Sequence, residues 1–112
     1  MKMEIAEEDG VTRVGLVGRL DTPGVDAIET RLTAAVVPRG VRAIVDLSGV
    51  EFIGSLGLRM LITITRALTR RGGKMVLYGP QGFVAQVLET ASLDDIIPVR
   101  PDATSALSAV QA

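Results

Sequence analysis

Asp46-Leu-Ser-Gly-Val-Glu-Phe-Ile-Gly-Ser55-Leu-Gly-Leu-Arg59 joins two kinds of segment. Before it stands a short apolar run, Ala43-Ile44-Val45, of the length and composition of a buried strand. After it, Leu58, Leu61, Ile62, Ile64 and Leu68 recur at helical spacing, while Arg59, Thr63, Arg66 and Arg70 fall on a narrow polar stripe. The stretch therefore reads as a strand that ends near Leu47, a glycine-broken turn, and an amphipathic helix. Ser55 is the expected N-cap, where a side-chain oxygen can accept from a free amide of the first helical turn. That position also faces the positive end of the helix dipole, beside donors suited to an anion. For the arginine stripe, ordinary solvation and a partner surface both remain open.

Working outward, residues 2–7 and 11–19 are expected to form two strands joined at Asp9-Gly10, a dipeptide suited to a tight hairpin. Thr22-Pro23 supplies a cap followed by proline at the first helical position, and a helix is expected from about Pro23 to Val36, with Val25, Ile28, Leu32 and Ala35 on its apolar face. Gly72-Gly73 would close the helix that Ser55 opens, before a strand at Lys74–Tyr78. Phe83, Val84, Val87, Leu88 and Ala91 predict a third helix with those residues on its apolar face, and Ile96-Ile97-Pro98-Val99 predicts a short edge strand. A last helix follows Asp102, with Ala103, Ala106, Leu107 and Val110 inward. Two antiparallel strands followed by alternating helices and strands imply a single α/β domain over residues 1–112, with a mixed sheet of four or five strands and about four flanking helices.

Composition narrows the chemistry. In 112 residues, 47% are hydrophobic and 22% charged, which suits a folded globule able to bury about two thirds of its unfolded surface. A net charge of -1 lacks the basic excess of a nucleic-acid-binding domain. Without histidine or cysteine, the Ser-His-Asp triad, the Cys-His dyad and the commonest zinc sites are excluded. Gly72-Gly73-Lys74 is not the end of a phosphate-binding loop, because Leu68 stands where its first glycine is needed and Met75 where its hydroxyl is needed. Asp21, Asp46 and Glu51 lie near expected loop ends, the minimum for acid–base chemistry or magnesium, although an aspartate at a strand end more often caps a turn. The expectation is a binding protein and not an enzyme, with no cofactor and no metal. Acidic residues near the N-terminus and the want of a long apolar run make it an expected cytoplasmic protein with no membrane insertion.

Gly18-Arg-Leu-Asp21, then Val45-Asp-Leu-Ser-Gly-Val-Glu-Phe-Ile-Gly-Ser-Leu-Gly-Leu58, then Arg71-Gly-Gly73 ahead of a strand resemble the STAS domain of bacterial anti-sigma-factor antagonists. The likeness runs over nearly the whole chain, in order. It implies a regulatory switch: the unphosphorylated antagonist binds an anti-sigma factor that is also a serine kinase and holds the ATP, the kinase phosphorylates it, and a phosphatase resets it. Ser55 matches the phosphoacceptor, Gly57 the motif glycine and Asp21 the acid of the first motif. The family's central motif is Asp-Ser-Ser/Thr-Gly-Leu; here Gly54 replaces the Asp and Leu56 the second hydroxyl. The expected partner surface comprises Asp21, Ser48, Gly54, Ser55, Leu56, Gly57 and Arg59, with Phe52 either contributing apolar contact or buried. A second reading makes the chain a non-phosphorylated STAS adaptor of a transporter or other regulatory complex; a small carboxylate-dependent enzyme is a third.

Overall fold

Alternation over residues 11–20 starts the sheet. In β2 (Val11–Leu20), Thr12, Val14, Leu16 and Leu20 are buried on one face, the period of two that a strand imposes. β1 (Lys2–Glu8) pairs with it antiparallel, Met3 opposite Leu16 and Ile5 opposite Val14. The turn between them has positive φ at both Asp9 (51°) and Gly10 (81°), as a tight hairpin requires. The computed structural model describes all 112 residues, and beyond this hairpin every strand is laid down parallel to its predecessor. α1 (Thr22–Val36) leads to β3 (Arg42–Ile53), α2 (Ser55–Arg70) to β4 (Lys74–Tyr78), and α3 (Gly82–Thr90) with a short 3-10 turn (Leu93–Asp95) to β5 (Val99–Arg100); α4 (Ala103–Gln111) ends the chain. The result is an α/β domain with a mixed five-stranded sheet in the order β1-β2-β3-β4-β5 and four α-helices.

The order explains the layers. Three successive crossovers step across the sheet in the same direction, and a common handedness puts their helices on the same face. Val25, Ile28 and Leu32 of α1, Met60, Leu61, Ile64 and Leu68 of α2, and Val84 and Leu88 of α3 accordingly share one core with Val14, Leu16, Ala43, Val45, Leu47 and Leu77 of the sheet. α4 packs on the opposite face, where Ala106 and Val110 meet Val11, Ile44, Val76 and Tyr78.

Several elements differ from their sequence reading. β3 does not end near Leu47; it runs twelve residues, straight through Ser48-Gly49. Between Gly15/Val17 and Gly18/Arg19 on β2, β3 twice carries an extra residue, so the strand bulges where a turn was expected. Gly49 is needed there because a Cβ would stand 2.9 Å from Val17 Cγ2 and 3.0 Å from the Leu16 carbonyl oxygen. In α3 only Val84 and Leu88 are buried; Phe83 and Ala91 are exposed, because the helix rests on the sheet by a narrow stripe and ends at Thr90. The final strand is Val99–Arg100 and not residues 96–99: the 3-10 turn consumes Leu93–Asp95, leaving Ile96 exposed and Ile97 buried below it. In α2, Met60 and Thr65 join the buried face while Leu58 and Ile62 sit at its margin.

Gly57 offers a test of how tightly α2 is seated. A Cβ there would lie 2.9 Å from the Leu20 carbonyl oxygen, 2.9 Å from Ile53 Cγ1 and 3.0 Å from Leu20 Cβ. Overpacking costs about 1–3 kcal/mol, against a gain of at most about 1 kcal/mol from replacing a helical glycine by alanine. Gly57→Ala is expected to destabilise the fold despite its better helix propensity, seen as a lower urea midpoint with an unchanged slope.

Candidate docking site at the first turn of helix α2

The end of β2 is held between two helix starts. On one side, Gly24 of α1 lies so close to the Arg19 carbonyl that a Cβ would fall 1.9 Å from its oxygen. On the other, the Gly54 amide donates to the Leu20 carbonyl at 3.1 Å, and Gly57 presses on the same oxygen. Asp21, directly after this clamped segment, caps α1: its carboxylate accepts from the Gly24 amide at 2.9 Å and from Arg19 Nε at 3.4 Å. The expected cap, Thr22, is instead the first helical residue, with Pro23 second. The backbone amide of Gly24, aided by Arg19, holds the Asp21 carboxyl below the usual carboxylate range.

A similar one-residue displacement occurs at Ser55. Gly54 is the extended N-cap residue of α2 (φ -103°, ψ -175°), its carbonyl accepting from Leu58 at 3.1 Å, and no side chain caps the helix. Ser55 is thus the first helical residue and not the N-cap. The reason is geometric: the bond from Gly54 to Leu20 holds residue 54, not 55, extended. The consequence is chemical. The Ser55 hydroxyl is exposed and uncommitted to capping, and it stands where the first amides of a helix have no intrahelical acceptor.

Leu20, Asp21, Thr22, Phe52, Gly54, Ser55 and Leu56 line one hollow of about 250 Å³. Asp21, Gly54, Ser55 and Leu56 are therefore brought together, with Leu56 exposed at 39%. Gly57 is buried beneath them, and Arg59, one turn on from Ser55, heads the exposed Arg59, Thr63, Arg66 and Arg70 stripe. Ser48 is not part of this hollow: it lies beside Asp46 and Gly79 and lines a second one with Lys2, Glu4, Gly15 and Val17. Asp46 accepts from the Ser48 amide at 2.8 Å, a turn-type bond inside the bulge. No group of three or more carboxylates stands close enough to hold a metal ion.

Sequence reasoning passed over Arg19 and Phe83. Phe52 is half-buried, its ring stacked on that of Phe83 (centroids 5.6 Å apart, 8° between planes) and covered by the Arg19 guanidinium, 4.5 Å from its centroid. The available signal was scarcity: the chain has two phenylalanines, one tyrosine and no tryptophan.

The family model for the STAS domain matches residues 2–106. The chain belongs to the STAS domain family. It is similar to BtrV of Bordetella bronchiseptica, with 28% identity over 109 residues covering 97% of this chain and 94% of that protein. Among solved structures, an anti-sigma factor antagonist from Mycobacterium paratuberculosis superimposes with a TM-score of 0.87 at 29% identity, covering 99% of this chain and 94% of that one. The anti-sigma factor antagonist SpoIIAA, in its unphosphorylated form, shares the fold with a TM-score of 0.79 at 20% identity over 98% of this chain and 96% of that one. The phosphorylated form of SpoIIAA, the Bacillus cell fate determinant, gives 0.70 at 18% identity over 97% and 99%. No helix of this STAS chain is long and apolar enough to cross a membrane.

The Asp21 cap predicts a pH dependence. A carboxyl held below its usual value of 3.8 stabilises the fold above that pH, and the contribution is lost as pH falls through the lower, folded-state value. Asp21→Ala is expected to lower the urea midpoint at pH 7, and the gap from the native chain should narrow as the pH is taken below the usual carboxylate value. Asp21→Ser, which restores a capping oxygen, should recover part of the loss at pH 7.

Proposed function

We propose that this STAS domain is an anti-sigma-factor antagonist: unphosphorylated, it docks through the first turn of α2 on an anti-sigma factor that is also a serine kinase, and phosphorylation of Ser55 switches the docking off. The observation that carries this reading is the exposed, uncapped Ser55 hydroxyl sharing one hollow with Asp21, Gly54 and Leu56. The names of its relatives agree, since two of the three solved structures compared above are described as anti-sigma factor antagonists. ATP is held by the partner, which acts with this chain in the bacterial cytoplasm, and a phosphatase reverses the modification. The domain over residues 1–112 contributes binding and a phosphoacceptor but no catalysis.

The physics of the switch follows from position. A phosphate adds about -1.5 to -2 charges near neutral pH. At the start of α2 the helix dipole and free amides offset that charge, so the fold survives. A partner seated over Ser55 meets new volume and a new anion. Arg59, one turn along the same helix face, and Leu56 supply charged and apolar contact in the unphosphorylated state. Ser48, in a separate hollow, belongs to the docking surface only where the partner reaches across β3.

Two measurements check this reading. Incubated with the purified serine-kinase anti-sigma factor and ATP, the chain should gain one phosphate, located by mass spectrometry on Ser55, and Ser55→Ala should gain none. In a calorimetric titration Ser55→Asp should bind that kinase about tenfold or more weakly than the native chain, while Ser55→Ala binds close to native. Equal binding by all three, with no phosphate on Ser55, would sink the switch.

A further inference from the structure

Both phenylalanines of this aromatic-poor chain meet each other at its surface. Phe83 is 50% exposed, and α3 does not need it for the core, because Val84 and Leu88 fill that side. Phe52 forms a wall of the hollow that holds Ser55. Phe83, stacked on it, lines the neighbouring hollow on α3 with Gln86, Val87, Thr90 and Ala91. The two hollows therefore share one aromatic wall. Arg19 covers the Phe52 ring with its guanidinium while its side chain as a whole stays 55% exposed.

We propose that the docking surface extends from Ser55 across the Arg19, Phe52 and Phe83 stack onto α3, and that it takes a protein partner presenting an apolar side chain to the rings and carboxylates to Arg19 and Arg59. This rests on the reading of the chain as an antagonist and adds to it a second contact region and its chemistry. Three observations point to a protein with those features. Aromatic rings and arginine in an apolar hollow are the side chains that dominate protein interfaces. The rings are held nearly parallel before any partner arrives, so little side-chain freedom remains to be lost on binding. The charges that α2 exposes beyond Ser55 are all basic, beginning with Arg59 one turn on, which calls for an acidic rim on the partner at that side. A single-stranded nucleic acid could stack on the same rings, but the net charge of -1 lacks the basic excess such binding uses.

Gly54 ties the stack to the switch. A Cβ at residue 54 would stand 3.3 Å from Phe52 Cε2 and 3.6 Å from its Cζ, so the ring occupies the space beside the backbone where a larger residue would have to fit. The contact beside Ser55 is therefore apolar, and its continuation is Phe83.

The test is a set of titrations against the purified serine-kinase anti-sigma factor loaded with ADP and magnesium. Phe83→Ala and Phe52→Ala should each weaken binding about tenfold or more. Their combined effect should fall short of the product of the two, because both changes break the same stack. Arg19→Gln should weaken binding less, with a loss that shrinks as salt is raised. Phe83→Lys, a surface change with native-like circular dichroism, guards against a folding defect and should bind at least as weakly as Phe83→Ala. If Phe83→Ala and Phe83→Lys bind within twofold of the native chain while Ser55→Asp does not, the surface stops at α2 and this inference falls while the antagonist reading stands. If the native chain binds no such kinase, both fall. A native dimer in sedimentation that Phe83→Ala dissolves would assign the stack to a second copy, and retention of a single-stranded oligonucleotide lost in the same variant would assign it to nucleic acid; either overturns the proposal.

Discussion

The carbonyl oxygen of Leu20 is the point on which the arrangement of the site depends. It accepts the Gly54 amide at 3.1 Å, and Gly57 sits close enough that any side chain there would strike it. One residue back, the Arg19 carbonyl is crowded in the same way by Gly24 at the start of α1. Two helices from different crossovers thus begin against one short piece of β2, and only residues without a Cβ let them come so near. That approach puts Asp21, which follows the clamped carbonyls, and Ser55, which follows Gly54, in the same hollow. Their proximity is a property of backbone packing, and it needs no bond between the two side chains.

Much of this architecture is legible in the residues. The Asp9-Gly10 hairpin, the apolar face of α2 around Leu61, Ile64 and Leu68, the Gly72 turn with φ +85° that follows α2, and the Asp102 cap of α4 all express local chemistry, and the local reading suffices. The failures share a cause. Core residues of β3 run Ala43, Val45 and Leu47 at spacing two, then Val50 and Ile53 at spacing three, because two bulges each turn the strand by one residue. A run of that kind looks like a strand followed by a loop until its neighbour is known. The helix starts were misplaced by one residue for a related reason: Thr22 and Ser55 are good capping residues, but the clamp at Arg19 and Leu20 sets Asp21 and Gly54 as the extended positions. Phe83 has helical spacing and looks like core; only the width of the α3 contact with the sheet, a tertiary quantity, leaves it outside.

Gly54 is where the resemblance to the family and the packing of this chain meet. Where the motif carries a carboxylate, this chain carries no side chain, and the space is bounded by the Phe52 ring. Exchange of a charge for an aromatic edge changes the electrostatics around Ser55 in a definite direction. The remaining acid of the hollow, Asp21, is already engaged by the Gly24 amide and by Arg19. The charged side chain one turn along α2 is Arg59. A phosphate placed on Ser55 would therefore meet a helix dipole and exposed arginine with no carboxylate at residue 54 to repel it. Coulomb repulsion inside the domain is then small, and under the proposed switch the free energy that distinguishes a phosphorylated from an unphosphorylated Ser55 would be expressed across the interface, against the groups a partner brings to Leu56, Phe52 and Arg59. Under that proposal the fold itself is indifferent to the modification, and specificity for the unmodified form becomes a matter of what the partner carries opposite Ser55.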